Sequence, residues 1–440
     1  MPHNSKRTHI LHISALPLWP MAAGAGMSCL NETLRGHLRG GFNVSLVVPQ
    51  YNLFSGQPIR VSSERQEYDI HVARCSWFPA ILKIKQTILR VTRRAELPYV
   101  LRWTHNIALF LLTTLSLFLA ASRLRHSSRS RYDIVYAHNQ YAAGAGWLVG
   151  RLWGIPNVTR LYGTFLASLM RLPFVKLRYP VAAAGFLVPH DLLICANDGT
   201  QGDRVAGQLG VDLTRLRFWQ DGVNPHLPDL GLTRARFVDD HPIYGLRPEA
   251  KWILSCSRLS YWKRIDRILR AFAASRQTDL SAQLLIAGDG PERGALAALA
   301  DELNVADDVV WLGPVPHGNV WQLMQLADVF MITNDVTNRC NPLYEAMCAG
   351  LPVVSVRDPS SADLVEQNVN GLLADRDNAE ELGECLRKAL TDDKLAARLR
   401  AAQVRKAAGL WSWAERMAAE VQELELLVKE SVAKGPRDEC

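Results

Sequence analysis

The segment 331–356 combines a helix start with a carboxylate one turn further along the helix. Asn341 is predicted to cap this helix, Pro342 to occupy its first position and Gly350 to follow its end. The free N–H groups at the helix start, together with the helix dipole, form a site for phosphate oxygens. Glu345 would then accept hydrogen bonds from vicinal sugar hydroxyls, although an ordinary solvated helix residue is the alternative. The segment therefore predicts a phosphate site with a sugar beside it.

Two positive charges follow a predicted buried strand further upstream. Arg258 and Lys263 lie in the segment 255–266, between that strand and a helix. Two fixed cations at such a place can stabilise the negative charge that builds on a departing diphosphate. A surface loop with ordinary basic residues is the competing interpretation.

Two glycine-bearing turns add weaker candidates. Gly24 and Gly26 lie between a predicted strand and a helix, and Gly288 and Gly290 follow a predicted strand that ends at Ala287. Glycine lets the backbone approach a phosphate or a sugar closely. Simple tight turns explain both pairs equally well.

The elements that must position these residues alternate between strands and helices. Short apolar runs predict strands at 9–14, 43–48, 133–136, 157–161, 192–195, 252–257, 283–287, 309–312, 329–332 and 352–356. Helical patterns occupy 27–39, 142–153, 265–274, 292–303, 320–326, 342–349 and a long stretch from 379 to about 429. The alternation predicts an α/β protein with two doubly wound, Rossmann-like parallel sheets that face each other across a cleft, with ligands at the carboxyl ends of the strands.

A proline-bearing stretch separates the two alternating halves. We therefore predict an amino-terminal domain over 1–225, an interdomain linker over 226–250 and a carboxy-terminal domain over 251–405. The remaining segment, 406–440, is expected to form a helix that packs back on the first domain.

The charge of the chain is unevenly distributed. The 440 residues include 50 Lys and Arg against 43 Asp and Glu, and 48% are hydrophobic, which excludes a disordered chain. Residues 83–190 hold 15 of the basic residues and two acidic ones, Glu96 and Asp133, so this block carries +13 while the rest carries −6. The block predicts an anionic partner.

Within the basic block, residues 107–121 are almost wholly apolar. A helix of this length rises about 22 Å, less than the roughly 30 Å of bilayer hydrocarbon. A buried helix of an α/β domain is the first interpretation. A monotopic contact with a membrane surface is the second, because arginines flank the stretch on both sides.

The eight cysteines contain no C-x-x-C pair, which favours a reducing, cytoplasmic location over a disulfide framework or zinc site. His12, Ser14 and Pro17 interrupt the apolar amino-terminal run. We therefore expect a first buried strand there rather than a signal peptide.

Taken together, these motifs resemble those of GT-B glycosyltransferases of family 4. The matching segments, in the family's order, are the glycine-rich 22–26, YDIVYAH at 132–138, SRLSYWKRID at 257–266, LLIAGDGPE at 284–292, NPLYEAMCAGLPVVSV at 341–356 and DLVEQNVNGLLA at 363–374. The resemblance covers essentially the whole chain, is strong over 253–374 and is looser before Tyr132.

The resemblance implies a role for each matching donor-site residue. Arg258 and Lys263 would bind the nucleotide diphosphate, and Glu345, at the second glutamate of the family's pair, would hold the donor ribose. The backbone of Asn341, Pro342 and Leu343 would meet the phosphates.

Other positions follow from the same resemblance. Gly24 and Gly26 would lie near the donor phosphates or the acceptor, and Gly288 and Gly290 would belong to the donor site. His138 resembles a family histidine near the reacting sugar, with a cleft-lining or helix-capping histidine as the alternative.

The sequence departs from the family pattern at three places. Thr337 stands at the first glutamate position, so a contact with the donor sugar is missing; Asp335 is the preferred substitute, with Asn338 and Asn341 as alternatives. The family's His-Gly pair reads Tyr162-Gly163, and its Asn-Gly pair before the linker reads Asp221-Gly222.

The implied function is transfer of a sugar from a nucleotide-diphosphate sugar to a glycan or lipid-linked acceptor. The family implies retention of anomeric configuration, and two cations with the helix start replace a metal, so no cofactor is expected. Asp375-Arg376-Asp377 has the spelling of a metal motif but is interpreted as a turn and helix cap.

Synthesis of a bacterial surface polysaccharide by a cytoplasmic protein, peripheral at an anionic membrane surface, is the expected setting. A sugar-nucleotide epimerase of the same fold and a non-catalytic partner subunit are the alternatives. Nucleic-acid binding is disfavoured because the basic block is interleaved with aliphatic rather than exposed aromatic residues.

Overall fold

A computed structural model describes residues 7–16, 28–51, 53, 68–92, 97–128, 131–224, 229–276 and 281–433 of the chain. The chain forms two compact units. The first comprises Met1–Asn197, Gln201–Asp221 and Trp413–Cys440, and the second comprises Asp198–Thr200 and Gly222–Ser412.

The first unit is built on a seven-stranded sheet in which every pairing is parallel. Its strands are β1 (His9–Ser14), β2 (Asn43–Pro49), β3 (Asp69–Ala73), β4 (Ile134–His138), β5 (Asn157–Leu161), β6 (Leu192–Ala196) and β7 (Leu216–Trp219). They lie in the order β3-β2-β1-β4-β5-β6-β7. All residues of β4, β5 and β6 are buried; β4 and β6 are almost continuously apolar, whereas β5 also buries Asn157, Thr159 and Arg160.

Helices flank this sheet. They are α1 (Ser28–Arg39), α2 (Phe78–Thr92), α3 (Tyr99–Ser128), α4 (Gln140–Trp153), α5 (Val175–Arg178), α6 (Pro180–Leu187) and α7 (Gly202–Leu209). The small residues of α4 let α3 approach it closely, since a Cβ on Gly144 would lie 2.7 Å from Thr114 Oγ1.

The second unit is built on a six-stranded parallel sheet in the order β10-β9-β8-β11-β12-β13. Its strands are β8 (Lys251–Cys256), β9 (Ala282–Ala287), β10 (Val309–Gly313), β11 (Val329–Ile332), β12 (Val353–Val356) and β13 (Gly371–Ala374). Its helices are α8 (Arg234–Asp240), α9 (Ile265–Ser275), α10 (Arg293–Glu302), α11 (His317–Leu326), α12 (Asn341–Cys348), α13 (Ala379–Thr391) and α14 (Asp393–Ala407). The prediction of two parallel α/β sheets is confirmed.

The stretch predicted as a linker, 226–250, belongs to the second unit. Its described residues form α8 and a short turn of 3₁₀-helix, Pro242–Tyr244. Phe237 is fully buried, stacks on His241 and meets the Trp252 ring edge-on. Prolines and mixed charges made this stretch resemble a loop, but the single buried aromatic makes it part of the hydrophobic core.

The long helical stretch predicted after residue 379 is broken twice. Asp392 accepts a hydrogen bond from the Leu395 amide and so caps the start of α14. A further helix, α15 (Trp413–Ala433), starts after residues 408–412 and belongs to the first unit. The Met417 side chain of α15 packs against Gly36 of α1, where a Cβ would collide with Met417 Cγ.

Helix α3 spans 30 residues, twice the apolar stretch from which it was predicted. Among the described residues it supplies one segment, Tyr99–Ser127, that is long and apolar enough to cross a membrane by length and composition alone. A core helix of a globular protein passes the same test, and 39% of the most apolar part of α3 is buried in the first unit.

Truncation of Phe237 tests whether 229–250 is core rather than linker. We expect Phe237→Ala to lower the unfolding free energy of the second unit by about 3–5 kcal/mol, because a buried ring leaves a cavity. Ile243→Ala, in the same stretch but 90% exposed, is the matched control and should change it by less than about 0.5 kcal/mol. Urea unfolding of both variants checks this, and equal midpoints would contradict it.

Candidate functional site

The loop after β8 carries the two predicted diphosphate-binding cations. Leu259 is fully buried and anchors this loop, whereas Arg258 beside it is exposed. Lys263 ends a 3₁₀ turn, and its Nζ lies 4.2 Å from the centroid of the Trp262 ring, a cation–π contact. Within the described part of the chain, neither cation forms an ion pair with an acidic side chain. Two positive charges are therefore left without an internal counter-charge.

The glycines after β9 hold this loop in place. A Cβ on Gly288 would collide with the Ser257 carbonyl oxygen, and a Cβ on Gly290 with that of Leu259. Gly288 also has φ +133°, which other residues rarely adopt. The Leu259 amide donates to the Asp289 carbonyl oxygen at 3.0 Å. These glycines therefore support the backbone that carries Arg258, a role distinct from the predicted contact with a donor.

Helix α12 begins with backbone amides that no side chain of its cap residue satisfies. Cys340, not Asn341 as predicted, is the residue before the helix, and its side chain makes no capping hydrogen bond. Pro342 lies in the first turn, where its missing N–H costs nothing. The Leu343 amide bonds to the Cys340 carbonyl oxygen at 3.0 Å. The Tyr344 amide bonds to the same oxygen at 3.2 Å, so the start of α12 offers an anion the Asn341 amide and the positive end of the helix dipole.

Glu345 lies one turn into α12 with a side chain only 13% exposed. Its Oε1 lies 2.9 Å from Nε2 of His317, the first residue of α11. Sequence reasoning missed His317, because its partner lies 28 residues away and no motif connects the two. The contact orients the carboxylate and leaves its second oxygen for another donor.

The surroundings of two partly buried thiols, Cys256 and Cys340, show that these elements lie near one another. Burial raises the pKa of Cys256, at the end of β8, to about 12; Glu345 and Cys340 add to the increase and Lys263 opposes it. Burial also raises the pKa of Cys340, with Lys263 opposing and Glu345 adding. Because charges act strongly only at short range, Lys263, Glu345 and the start of α12 lie close together.

Asp335, the predicted substitute for the family's first glutamate, is held by two arginines. Arg267 Nη1 lies 2.6 Å and Arg264 Nη1 3.2 Å from its carboxylate oxygens. Partial burial raises the pKa of Asp335, but the hydrogen bonds from the two arginines outweigh it and leave the pKa below its ordinary value. The Asp335 amide also donates to the Trp262 carbonyl oxygen at 2.9 Å. These contacts give Asp335 a positioning role in the loops around Lys263 rather than a free carboxylate.

Thr337, at the family's first glutamate position, and the neighbouring Asn338 also use their side chains in hydrogen bonds within the fold. Thr337 is buried, and its hydroxyl donates to the Asp198 carbonyl oxygen at 2.6 Å. Asn338 is fully buried, with its Oδ1 accepting from the Asn334 amide at 2.8 Å. Asn341, at the start of α12, is the alternative that stays partly exposed.

The two aspartates of the Asp-x-Asp sequence, Asp375 and Asp377, each form an ion pair with an arginine. Asp375 pairs with Arg357, and Asp377 lies 3.1 Å from Arg267 Nη2. The cap of α13 is the neighbouring Asn378, whose side chain accepts from the Glu381 amide. Both carboxylates are therefore engaged with arginines.

His138 is fully buried in the first unit, and its predicted place beside a reacting sugar stays a prediction. Its Nε2 lies 2.8 Å from Nδ1 of His12, and its Nδ1 lies 2.7 Å from the Tyr162 hydroxyl. Both ring nitrogens are thus used inside the unit. The strand-end position was predicted correctly, but β4 directs this side chain into the core instead of outward. Gly24 and Gly26 lie outside the described residues.

The contacts of His138 belong to a longer buried chain that the motifs did not reveal. His12 Nε2 lies 3.2 Å from His37 Nδ1, and His37 Nε2 lies 3.0 Å from Glu420 of α15. Tyr136 donates to the same carboxylate at 2.7 Å. Arginines 160 and 416 pair with it at 3.5 and 2.8 Å. Residues from β1, α1, β4, β5 and α15 thus meet around one buried carboxylate.

The charges of this chain follow from burial. Burial opposes ionisation of Glu420, but the two arginines outweigh it and hold its pKa well below the ordinary value. Burial lowers the pKa of His12 and His138 well below theirs, and nearby positive groups lower both further. The neutral rings of His12 and His138 can donate their N–H groups either toward Glu420 or toward Tyr162.

The neutral histidines predict acid sensitivity of the first unit. Below about pH 6.5 the unfolded chain binds protons at His12 and His138 that the folded chain does not. The unfolding free energy therefore decreases as the pH is lowered, by about 1.4 kcal/mol per pH unit for each of the two histidines. We expect His138→Gln to reduce this slope by about 1.4 kcal/mol per pH unit between about pH 5 and 6.5.

Urea unfolding at several pH values measures this slope. His126→Gln, at an exposed position of α3, is the matched control and should leave the slope as in the wild type. An unchanged slope in the His138 variant would contradict neutral burial of this ring.

Comparison with known proteins agrees with the architecture and the motifs. Residues 238–405 match the family described as glycosyl transferases group 1. A D-inositol 3-phosphate glycosyltransferase of Thermobifida fusca is 25% identical over 294 residues, which are 64% of this chain and 67% of that protein. An alpha-monoglucosyldiacylglycerol synthase of Streptococcus pneumoniae is 29% identical over 267 residues, 57% of each chain.

A solved structure matches along most of the chain. HepE of Anabaena in complex with UDP-glucose superimposes with a TM-score of 0.65 at 17% identity, covering 96% of this chain and all of that one. The likeness shows the fold, and the glycosyltransferase relatives extend it to the class of enzyme. The chain is therefore a glycosyltransferase of the GT-B fold, with the group 1 glycosyl transferase domain in its second unit.

Proposed function

We propose that the chain moves a hexose or related sugar from a nucleoside diphosphate sugar to a glycan or lipid-linked acceptor, with retention and without a metal ion. The observation that carries this proposal is the pair of cations on the loop after β8. Among the described residues neither Arg258 nor Lys263 forms an ion pair with an acidic side chain, and Lys263 lies near Cys340 at the start of α12. A diphosphate supplies the missing negative charge, and Glu345 lies within the same neighbourhood for the hydroxyls of a ribose.

The same arrangement supports stabilisation of the leaving group. In the proposed step the acceptor oxygen bonds to the anomeric carbon on the face from which the diphosphate departs. The bond to the donor oxygen breaks with its electron pair staying on the diphosphate, and the acceptor proton passes to that departing oxygen. Arg258, Lys263 and the α12 amides lower the cost of the charge that builds there. No residue of the chain needs to take the proton.

The acceptor and the setting are inferred from charge and from the relatives. A glycan or lipid-linked acceptor used in bacterial surface polysaccharide synthesis, reached from the cytoplasmic side of a membrane, fits the +13 block at 83–190. One relative is named for a glucosylated diacylglycerol product. The complex of HepE with UDP-glucose supports a nucleotide sugar as the donor.

Two other functions give different outcomes in simple assays. An epimerase of this fold would change the nucleotide sugar without any acceptor. A non-catalytic partner subunit would keep its role after loss of both cations. The two cations near an uncapped helix start favour transfer over either alternative.

Removal of the cations tests the donor site. We expect Lys263→Ala and Arg258→Ala each to weaken UDP binding by about 10- to 100-fold, because each removes a hydrogen bond between charged groups. Arg270→Ala, an exposed arginine of α9, is the matched control and should leave binding unchanged within about twofold. Titration calorimetry with UDP and GDP measures this; wild-type affinity for both nucleotides in the double variant would refute the site.

Removal of metal tests the chemistry. With a donor and acceptor identified from a panel, turnover in excess EDTA should equal turnover with Mg²⁺, and NMR of the product should show the donor's anomeric configuration. Activity lost in EDTA and restored by Mg²⁺ would refute metal independence. An inverted product would refute same-face attack while leaving the donor site intact.

A further inference from the structure

Helix α3 has one face in the core and the opposite face exposed. Leu109, Thr113, Leu117 and Ala121 are buried, and they follow one another at the four-residue spacing of one helix face. They pack in the core of the first unit, together with residues of α4. Because this face is part of the core, α3 could cross a bilayer only by leaving the fold that it helps to form.

The opposite face of α3 is an apolar stripe. Leu111, Leu115 and Leu119 are 57%, 51% and 41% exposed and follow one another at four-residue spacing. Leu101, also exposed, lies on the same side of the helix near its start. The stripe from Leu101 to Leu119 is about 27 Å long, and polar side chains do not interrupt its exposed leucines in the last two turns. A face of this length and composition is unusual on a surface that meets only water.

A second exposed segment adjoins the start of α3. Trp103 donates to the Leu177 carbonyl oxygen at 2.6 Å, and the Tyr99 hydroxyl lies 3.4 Å from the Arg178 carbonyl oxygen. In the segment 171–178, Phe174 and Leu177 are 75% and 66% exposed. Phe174 also has φ +58°, a strained conformation for a bulky residue that holds its ring in solvent.

The charges around these apolar residues have one sign. Arg123 lies one turn beyond Leu119, and Arg171 and Arg178 bracket the second segment; all three are exposed. Among the described residues between 74 and 190, Asp133 is the single acidic one. Apolar side chains bordered by basic ones complement hydrocarbon bordered by anionic headgroups.

We propose that the stripe of α3 and the segment 171–178 form a docking surface for an anionic lipid bilayer, on which α3 lies in the plane of the interface without crossing it. This inference rests on the proposed function only in taking the acceptor to be met at a membrane. Docking would hold the first unit at the surface where a lipid-linked acceptor is found. Binding to vesicles is measured without sugar transfer, so the two proposals fail separately.

Flotation of the full chain with lipid vesicles tests the surface. The wild type should bind vesicles of phosphatidylcholine with about 30% phosphatidylglycerol at about 50 mM salt, and more weakly at about 500 mM salt. Replacing Leu111, Leu115 and Leu119 together by Asp should lower the partition coefficient by about 100-fold or more. Leu426→Asp combined with Val432→Asp, at exposed positions of α15 in the same unit, is the matched control and should change it by less than about twofold.

The arginines are tested separately. Arg123→Gln, Arg171→Gln and Arg178→Gln together should lower binding to anionic vesicles by roughly fivefold for each charge, or about 100-fold in all, and should leave binding to neutral vesicles unchanged. Unaltered circular dichroism and melting temperature would show that the exposed substitutions leave the fold intact.

Three results would overturn the proposal. The first is a wild type that stays unbound to anionic vesicles at low salt, and the second is a leucine variant that binds as the wild type does. The third is a wild-type dimer in light scattering that the leucine substitutions dissociate, which would make a second copy of the chain the occupant of the stripe. We expect the leucine variant that no longer binds vesicles to bind UDP with wild-type affinity. If the wild type binds vesicles but does not bind UDP, the donor site is refuted and the docking surface is not.

Discussion

The positive charge at the end of β8 depends on how closely two stretches of backbone approach each other. Arg258 has no acidic partner in the described part of the chain, so only its loop can hold it in place. That loop rests on the 288–290 turn, at a separation that admits no Cβ. Two glycines thus allow an uncompensated cation to be fixed in position, and a fixed cation needs little reorganisation when charge develops on a phosphate.

The first unit uses the opposite arrangement of charge. Around Glu420 the charges are compensated: Arg160 and Arg416 are its counter-charges, and Asp221, which is partly exposed, is a second partner of Arg160. Buried ion pairs of this kind add little net stability, but removing one partner is costly because it leaves an unpaired buried charge. The network therefore fixes which elements pack together: α15 must bring its carboxylate to β4 and β5. One unit keeps its cations available to a ligand, and the other uses its charges to assemble its own core.

The sequence predicted most of what depends on local pattern. Ten of the thirteen strands follow from short apolar runs between turn residues, whereas β3, β7 and β13 were not predicted. The proposed donor site was predicted from Arg258 and Lys263 after β8 and from Glu345 in α12. Contacts between distant residues could not be predicted in this way. The stretch predicted as a linker packs into the hydrophobic core through the buried ring of Phe237. The contact of His317 with Glu345 joins two helices that no sequence motif connects. His138 lies at the predicted strand end, yet its hydrogen-bond partners, His12 and Tyr162, lie 126 and 24 residues away in the chain.

Helix α15 completes the first unit although the whole second unit precedes it in the chain. On the ribosome the first sheet can form early, but its buried histidines have no carboxylate to meet until Glu420 has been synthesised, 201 residues after β7 ends at Trp219. The second unit is continuous in sequence apart from Asp198–Thr200, so its folding does not depend on a segment that is synthesised much later. Translation therefore imposes an order in which the unit that begins first is finished last. Until then the apolar residues that pack against Leu424 of α15 stay uncovered, and exposed apolar surface of this kind is what chaperones bind.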